Sequence, residues 1–133
     1  MQNMNRANAS WKAGWREVGC HRCYFRSRWE ANYGRYLQFL LERNEIASWE
    51  HEAETFWFEG IKRGSVSYLP DFRVTLPCGK VEYHEVKGWM DARSKTKIRR
   101  MSKYHPNVKL IVIDSICYKQ LQTQLNKIVP GWE

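Results

Sequence analysis

The sequence predicts a mixed α/β fold, in which helices cover one mixed β-sheet in the order α-β-β-β-α-β-α. Three observations predict it. Residues 27–44 have helical periodicity, residues 46–87 have the alternation of strands, and an apolar run at 108–114 lies between two further helical segments. With 133 residues and 43% hydrophobic content, the chain is long enough for one packed domain.

The first helix is expected to begin after Ser27 and to stop at Asn44. Ser27 followed by Glu30 three residues later is a capping-box pattern. Apolar residues at helical spacing predict its buried stripe: Trp29, Tyr33, Tyr36, Leu37, Leu40 and Leu41. Before it, WREVGCHRCYF suggests a short hairpin or an extended lead-in. Residues 1–13 are expected to form a flexible basic arm, followed by a single domain over residues 14–133.

The middle of the chain predicts strands. ASWEHEAETFWFEG contains one or two of them, rich in aromatic residues. SYLPDFRVTL and KVEYHEVKG alternate around the loop PCG, whose glycine suits the positive φ of a hairpin bulge. Further on, VKLIVID is a continuous apolar run, typical of a strand buried on both faces.

Two more helices follow. Residues 91–104 predict a very basic helix closed by Pro106. SICYKQLQTQLNKIV predicts a closing amphipathic helix, with the inward residues Ile116, Leu121, Leu125 and Ile128.

The net charge of +8 favours a polyanionic partner, and nucleic acid is the default candidate; a merely soluble basic surface is the alternative. No apolar run approaches the roughly 20 residues that span a bilayer, so no membrane partner is expected. The first residues lack the apolar segment of a secretory signal, which favours a cytoplasmic location, in the host cytoplasm if the chain is phage-encoded.

The four cysteines predict no disulfides in a reducing compartment. CHRC, with Cys20 and Cys23, has the spacing of zinc ligands, but a structural site needs four ligands and there is no second pair. Cys78 and Cys117 are isolated. We expect all four to be small buried hydrophobic residues.

The PCG loop predicts which residues of the hairpin lie opposite each other: Leu76 and Lys80, Thr75 and Val81, Arg73 and Tyr83, and Asp71 and Glu85. Lys87 projects from the same face as Glu85. Opposed carboxylates repel unless a cation lies between them, and Mg²⁺ or Mn²⁺ prefers such oxygen ligands. An ordinary solvated ion-pair face, or a register shifted by one residue, remains open at this point.

Pro70-Asp71 followed by Glu85-Val86-Lys87 resembles the PD-(D/E)XK nuclease motif. The upstream helix with Glu30 and the order of elements are similar to the restriction-endonuclease-like core of that superfamily, from about residue 24 to residue 114. FRSRWEANYGRYL, FWFEGIKRGSVSYLPDF and YHEVKGWMDARSKTKIRRM further resemble small phage endonucleases described as Holliday junction resolvase-like.

That resemblance implies a metal-dependent DNA endonuclease. It implies that Asp71 and Glu85 bind Mg²⁺, with Mn²⁺ also accepted, and that the Val86 backbone carbonyl is a further ligand. Lys87 would orient or activate the attacking water. Glu30 would act through a second metal or through water, and the alternative is that it only folds back to cap its helix.

Two basic segments are candidates for DNA contacts. The N-terminus of the first helix is a natural phosphate site, and the basic helix would border the cleft. The predicted DNA-binding residues are Arg26, Ser27, Arg28, Lys95, Lys97, Arg99, Arg100 and Lys103. Ser27 is also the expected cap, and a basic helix is often only a solvated face. No segment resembles a base-reading element, so shape-selective binding is expected.

The remaining candidates are given structural roles. His84 should face the opposite side of the sheet from Glu85 and serve in packing, and Trp89 should pack against the strand-to-helix turn rather than stack on a base. The other histidines, His21, His51 and His105, have no spacing that suggests a ligand set.

The predicted activity is phosphodiester hydrolysis in branched DNA by a homodimer that needs no small-molecule cofactor. The segment ETFWFEG is one candidate dimer surface, and core packing is its alternative. The alternative functions are a nicking, repair or transposon-end nuclease of the same fold, and a non-catalytic DNA-binding module.

Overall fold

The computed structural model describes residues 12–133, so that most of the predicted arm lies outside the described residues. The elements of the described part are β1 (Gly14–Val18), β2 (His21–Phe25), α1 (Arg28–Glu42), β3 (Ser48–His51), β4 (Phe56–Trp57), β5 (Ser67–Tyr68), β6 (Phe72–Thr75), β7 (Val81–Lys87), α2 (Ala92–Tyr104), β8 (Leu110–Asp114) and α3 (Ser115–Leu125). This confirms the mixed α/β class and, of the two alternatives for WREVGCHRCYF, the short hairpin β1–β2. The structure adds the small hairpin β4–β5 to the predicted order. Among these residues, no helix has the length and apolarity to cross a membrane.

The central sheet has the strand order β3-β6-β7-β8, in which only β7 and β8 run parallel. The predicted hairpin register is confirmed, since Arg73 pairs with Tyr83 and Thr75 with Val81. Gly79 in its turn has φ +94, the conformation for which a glycine was expected. The register therefore carries Asp71 to the neighbourhood of Glu85.

Each face of the central sheet has its own core. On one face, α1, α3 and the β1–β2 hairpin pack together; on the other, a smaller core contains Phe56, Phe58, Tyr68, Tyr83 and Met101. Alternation along β7 puts Glu85 on the side of Tyr83 and sends His84 to the opposite side. The packing role of His84 is confirmed, because its Nδ1 lies 2.6 Å from the Tyr33 hydroxyl in the first core.

Helix α1 begins and ends as its sequence predicts. Ser27 Oγ accepts a hydrogen bond from the Glu30 N–H over 3.1 Å, which confirms the cap. After the helix, Asn44 has φ +61 and turns the chain away. Gly34 lies against the Phe25 ring, where a Cβ atom would come within 3.3 Å of the ring carbons, so glycine lets the hairpin pack closely on the helix.

Two predictions about burial are wrong. Strand β8 is not buried on both faces: it is an edge strand that pairs only with β7, and its first three residues are half-buried. In the last helical segment, Ile116 and Ile128 are 69% and 56% exposed. The helix turns Tyr118 inward instead, to stack on Trp29 with ring centroids 4.1 Å apart, and it ends before Ile128.

The cysteine prediction holds only in part. Cys23 is buried, but Cys20 and Cys78 are exposed because both lie in turns between strands. In ETFWFEG, Phe56 and Phe58 are core residues while Trp57 between them is exposed. Core packing therefore accounts for the two phenylalanines, as strand alternation requires.

Candidate active site

A cavity of about 640 Å³ opens where β7 ends and the helices α1 and α2 begin. It is lined by all four side chains predicted to be catalytic, Glu30, Asp71, Glu85 and Lys87, and by Val86. These residues come from the first turn of α1, the residue before β6 and the end of β7. The fold therefore brings the whole predicted set to one place.

Backbone amides hold the carboxylates of both Asp71 and Glu85. The Asp71 N–H donates a hydrogen bond to Glu85 Oε1 over 3.1 Å, and the Val86 N–H donates to Asp71 Oδ2 over 2.8 Å. Both residues are buried. One oxygen of each carboxylate is thus anchored by a backbone amide at the open cavity.

The electrostatics of this pair favour a bound cation. Burial raises the pKa of Asp71 well above its ordinary value, and the carboxylates of Glu85 and Glu30 raise it further. Burial also raises the pKa of Glu85, while Lys87, whose Nζ lies 3.7 Å from Glu85 Oε2, opposes the rise. Two buried like charges are costly near neutral pH unless a cation compensates them. The donor set, carboxylate and carbonyl oxygens, fits Mg²⁺ or Mn²⁺.

Tyr68 adds a polar group that the sequence did not point out. Its hydroxyl is buried at the cavity beside the Glu85 carboxylate, with which it interacts, although the two groups do not reach the geometry of a full hydrogen bond. Burial raises the pKa of Tyr68, and the neighbouring Glu85 carboxylate raises it further. Because this interaction with Glu85 falls short of a full hydrogen bond, the hydroxyl is suited to bind an oxygen atom of a ligand or of its water as well. No sequence spacing links Tyr68 to Glu85, since the contact arises from β5 lying beside the central sheet.

Glu30 folds back onto its helix and also lines the cavity. Its Oε1 accepts a hydrogen bond from the Arg26 N–H over 3.1 Å, so the side chain does fold back onto the helix start. Its Oε2 lies 2.5 Å from His51 Nε2 and the residue still lines the cavity. Glu30, His51 and Glu52 bring one potential metal-ligand atom each within 4.8 Å of one another.

His51 was not predicted to be a partner of Glu30. Its position follows from β3 pairing with β6, which sets His51 opposite Phe72, next to Asp71. That pairing joins strands separated by the β4–β5 hairpin. The only available signal was strand alternation, which places His51 on the same side of β3 as the buried Trp49.

The predicted DNA-binding residues divide into separate groups. Arg26, Ser27 and Lys97 line the cavity, together with the unpredicted Arg93. A second cavity of about 350 Å³ is lined by Ile61, Arg99, Arg100, Lys103 and Tyr104. Lys95 is exposed and lines neither cavity. Arg28 is half-buried near Tyr118, and its positive charge acts to lower the pKa of that tyrosine.

Trp89 differs from its prediction. It is 60% exposed and lines the cavity, so it is more accessible to solvent than the predicted packing in the turn between β7 and α2 implies. The cavity therefore has an acidic, buried floor and a rim that carries cations and an aromatic ring.

Comparison with known proteins identifies a family but no activity. Neither the curated proteins nor the solved structures include a match to this chain. One family profile matches residues 11–120, which is most of the chain and includes every residue of the acidic floor. The chain therefore belongs to the family described as protein of unknown function (DUF1064).

Proposed function

We propose that this protein is a divalent-metal-dependent endodeoxyribonuclease with a restriction-endonuclease-like core that hydrolyses phosphodiester bonds in branched DNA. One observation carries the proposal: the buried carboxylates of Asp71 and Glu85 lie together, with Lys87 beside them, on the floor of an open cavity. The resemblance of these residues to the PD-(D/E)XK motif supports the same activity.

The floor residues have distinct tasks in this reaction. Asp71, Glu85 and the Val86 carbonyl would hold Mg²⁺. When bound, the ion supplies polarisation of the phosphoryl oxygens and makes water a better nucleophile near neutral pH. Lys87 orients the attacking water and places positive charge beside the negative charge that develops on the phosphoryl oxygens. The amide hydrogen bonds to Asp71 and Glu85 keep both carboxylates in position without substrate.

The rim supplies affinity for DNA. Arg26, Arg93 and Lys97 surround the acidic floor and attract phosphates that the floor alone would repel. Ser27 and Asp91 cap the two helices that start at the cavity, so both helix N-termini also lie at this rim. None of these contacts requires a particular base, which suits recognition of DNA shape.

The test is a cleavage assay with purified protein, a labelled four-way junction and a linear duplex of the same sequence, with Mg²⁺ or with EDTA. Junction cleavage should require Mg²⁺, and Asp71→Asn and Lys87→Met should each lower its rate by about 100-fold or more. Glu50→Gln is the matched control, because Glu50 is an exposed acid that pairs with Arg73 outside the cavity.

The nuclease proposal is wrong if the native protein cleaves none of these DNAs in Mg²⁺, or if Asp71→Asn cleaves them as fast as native. A DNA-binding module would then be the remaining function. Faster cleavage of nicks, flaps or mismatches than of junctions would assign the same chemistry to repair or nicking. Symmetric incision of a four-way junction needs two sites, so we also propose a homodimer, to be checked by sedimentation of the protein bound to junctions.

A further inference from the structure

The outer face of the β1–β2 hairpin presents two aromatic rings to solvent. Trp15 and Tyr24 lie directly opposite each other, 60% and 46% exposed, with ring centroids 5.7 Å apart and planes at 72°. The inner face of the same hairpin is anchored in the core by the buried residues Val18, Cys23 and Phe25. The rings are therefore held on a rigid support.

Cations accompany the rings. The Arg22 guanidinium lies 5.2 Å from the centre of the Trp15 ring. Arg22, Tyr24 and Arg26 alternate along the chain and are all exposed, so they share one side of β2 and its extension. Glu17 is the acid on this face, and its ion pair with Arg22, at 3.6 Å between two exposed side chains, is weak.

This face is continuous with the candidate active site. Arg26, two residues beyond Tyr24, lines the cavity that holds Asp71 and Glu85. Its guanidinium pairs with Glu52, which in turn lies beside Glu30 and His51. A strand bound along the hairpin would therefore reach the acidic floor at its Arg26 end.

Exposed aromatic rings interleaved with arginines match the chemistry of unpaired nucleotides. Bases stack on aromatic side chains while arginines hold the phosphates, and this mode tolerates any sequence. A duplex hides the faces of its bases and cannot bind in this way. The chain's charge of +8 suits such a polyanion.

We infer that the outer face of the hairpin, formed by Trp15, Arg22 and Tyr24 and ending at Arg26, binds unpaired nucleotides beside the strand to be cleaved. The placement beside a cleaved strand rests on the proposed nuclease function; the binding does not. It gives the cavity a preference for DNA whose branch point exposes unstacked bases.

The test measures fluorescence anisotropy of a labelled oligothymidylate and of a blunt duplex, both in EDTA so that no cleavage contributes. The native protein should bind the oligothymidylate, and the double variant Trp15→Ala/Tyr24→Ala should bind it about tenfold or more weakly. Duplex affinity should change by less than about twofold. Trp57→Ala is the matched control, because Trp57 is 65% exposed on β4, outside this hairpin.

Two further variants separate the effect of misfolding from the roles of the rings and of the arginine. Trp15→Phe/Tyr24→Phe keeps a ring at both positions and should retain native affinity within a few-fold. Arg22→Gln should reduce the slope of log affinity against log salt by about one for the oligothymidylate.

The inference is overturned if the native protein does not bind oligothymidylate, or if the double alanine variant, shown to be folded by circular dichroism, binds it as tightly as native. It is also overturned if that variant turns a sedimenting dimer into a monomer, since the face would then join two copies of the chain. If the native protein binds oligothymidylate but cleaves no DNA in Mg²⁺, the nuclease function is wrong and the binding inference stands. If the double alanine variant binds and cleaves junctions as the native protein does, this inference is wrong and the proposed nuclease function stands.

Discussion

Glu30 Oε2 lies 2.5 Å from His51 Nε2 in the cavity floor, although the two residues are 21 positions apart in the chain. Both side chains are buried, at 5% and 7% exposure. The contact ties the first turn of α1 to the end of β3, and it orients the carboxylate whose charge helps to raise the pKa of Asp71.

Replacing His51 should therefore destabilise the fold. His51→Ala leaves the buried Glu30 carboxylate with only the Arg26 amide as a donor, and an unsatisfied buried group costs about 1–3 kcal/mol. The free energy of unfolding from urea titration should fall by that amount. His51→Gln retains a donor and should lose less, and Glu50→Gln, which removes an exposed charge, should lose at most about 1 kcal/mol. Unchanged stability of His51→Ala would show that the contact is not formed in solution.

Asp71 should make stability depend on pH and on Mg²⁺. Because its pKa is raised in the folded state, the folded chain binds the proton more tightly than the unfolded chain. The free energy of unfolding should therefore fall as pH rises above the ordinary carboxyl value of about 3.9.

Asp71→Asn removes the charge but keeps an oxygen to accept the Val86 N–H. Calorimetry should give this variant a higher Tm than native at pH 7 and no advantage near pH 3. Mg²⁺ should raise the Tm of the native protein at pH 7 and have little effect on the variant. A lower Tm of Asp71→Asn at pH 7 would contradict the repulsion inferred at this site.

Tyr68→Phe should separate stability from activity. The change removes a buried hydroxyl whose interaction with Glu85 falls short of a full hydrogen bond, so the free energy of unfolding should change by no more than about 1 kcal/mol. Cleavage should slow by about two- to tenfold, the equivalent of one hydrogen bond to a ligand oxygen. Tyr104→Phe, on α2 at the second cavity, is the control and should change neither quantity. Faster cleavage by Tyr68→Phe would exclude a hydroxyl contact in the reaction.

The basic residues of α2 should contribute unequally. Lys97 lines the active-site cavity, and Lys103 lies at the second cavity. In filter binding to a four-way junction, Lys97→Gln should weaken binding and lower the salt slope by about one. Lys103→Gln should do the same only if bound DNA reaches the second cavity, so its slope measures how far the DNA extends along the helix. Lys119→Gln on α3 is the control, and a native slope for Lys97→Gln would remove this residue from the interface.

Glu133 should stabilise the fold above acid pH. Its carboxylate lies 2.5 Å from Arg16 and 2.8 Å from Arg35, and the hydrogen bonds from these arginines lower its pKa. Because its pKa is lowered in the folded state, the ionised carboxylate stabilises the fold above the ordinary pKa of about 4.3. This stabilisation is lost as pH falls through the pKa of the folded state. Glu133→Gln should cost about 1–2 kcal/mol at pH 7, and the difference should vanish at pH 2–3. Glu17→Gln, at an exposed ion pair, should have almost no effect at either pH.

The features predicted correctly depend on short stretches of chain. The Ser27–Glu30 cap spans one helical turn, and the three-residue loop before Lys80 sets the register of β6 and β7. Burial was predicted less well. Ile116 is apolar and correctly spaced, but the stacking of Tyr118 on Trp29 rotates α3 so that Ile116 faces solvent.

By itself, the sequence determined that Asp71, Glu85 and Lys87 share one face, because a hairpin register and the alternation of a strand are local properties. Only the tertiary structure decided that His51 holds Glu30, that Tyr68 lies beside Glu85, and that the outer face of the hairpin leads into the cavity. These relations join elements whose packing no periodicity encodes. They depend on which apolar faces pack against each other, and that packing involves residues from the whole chain.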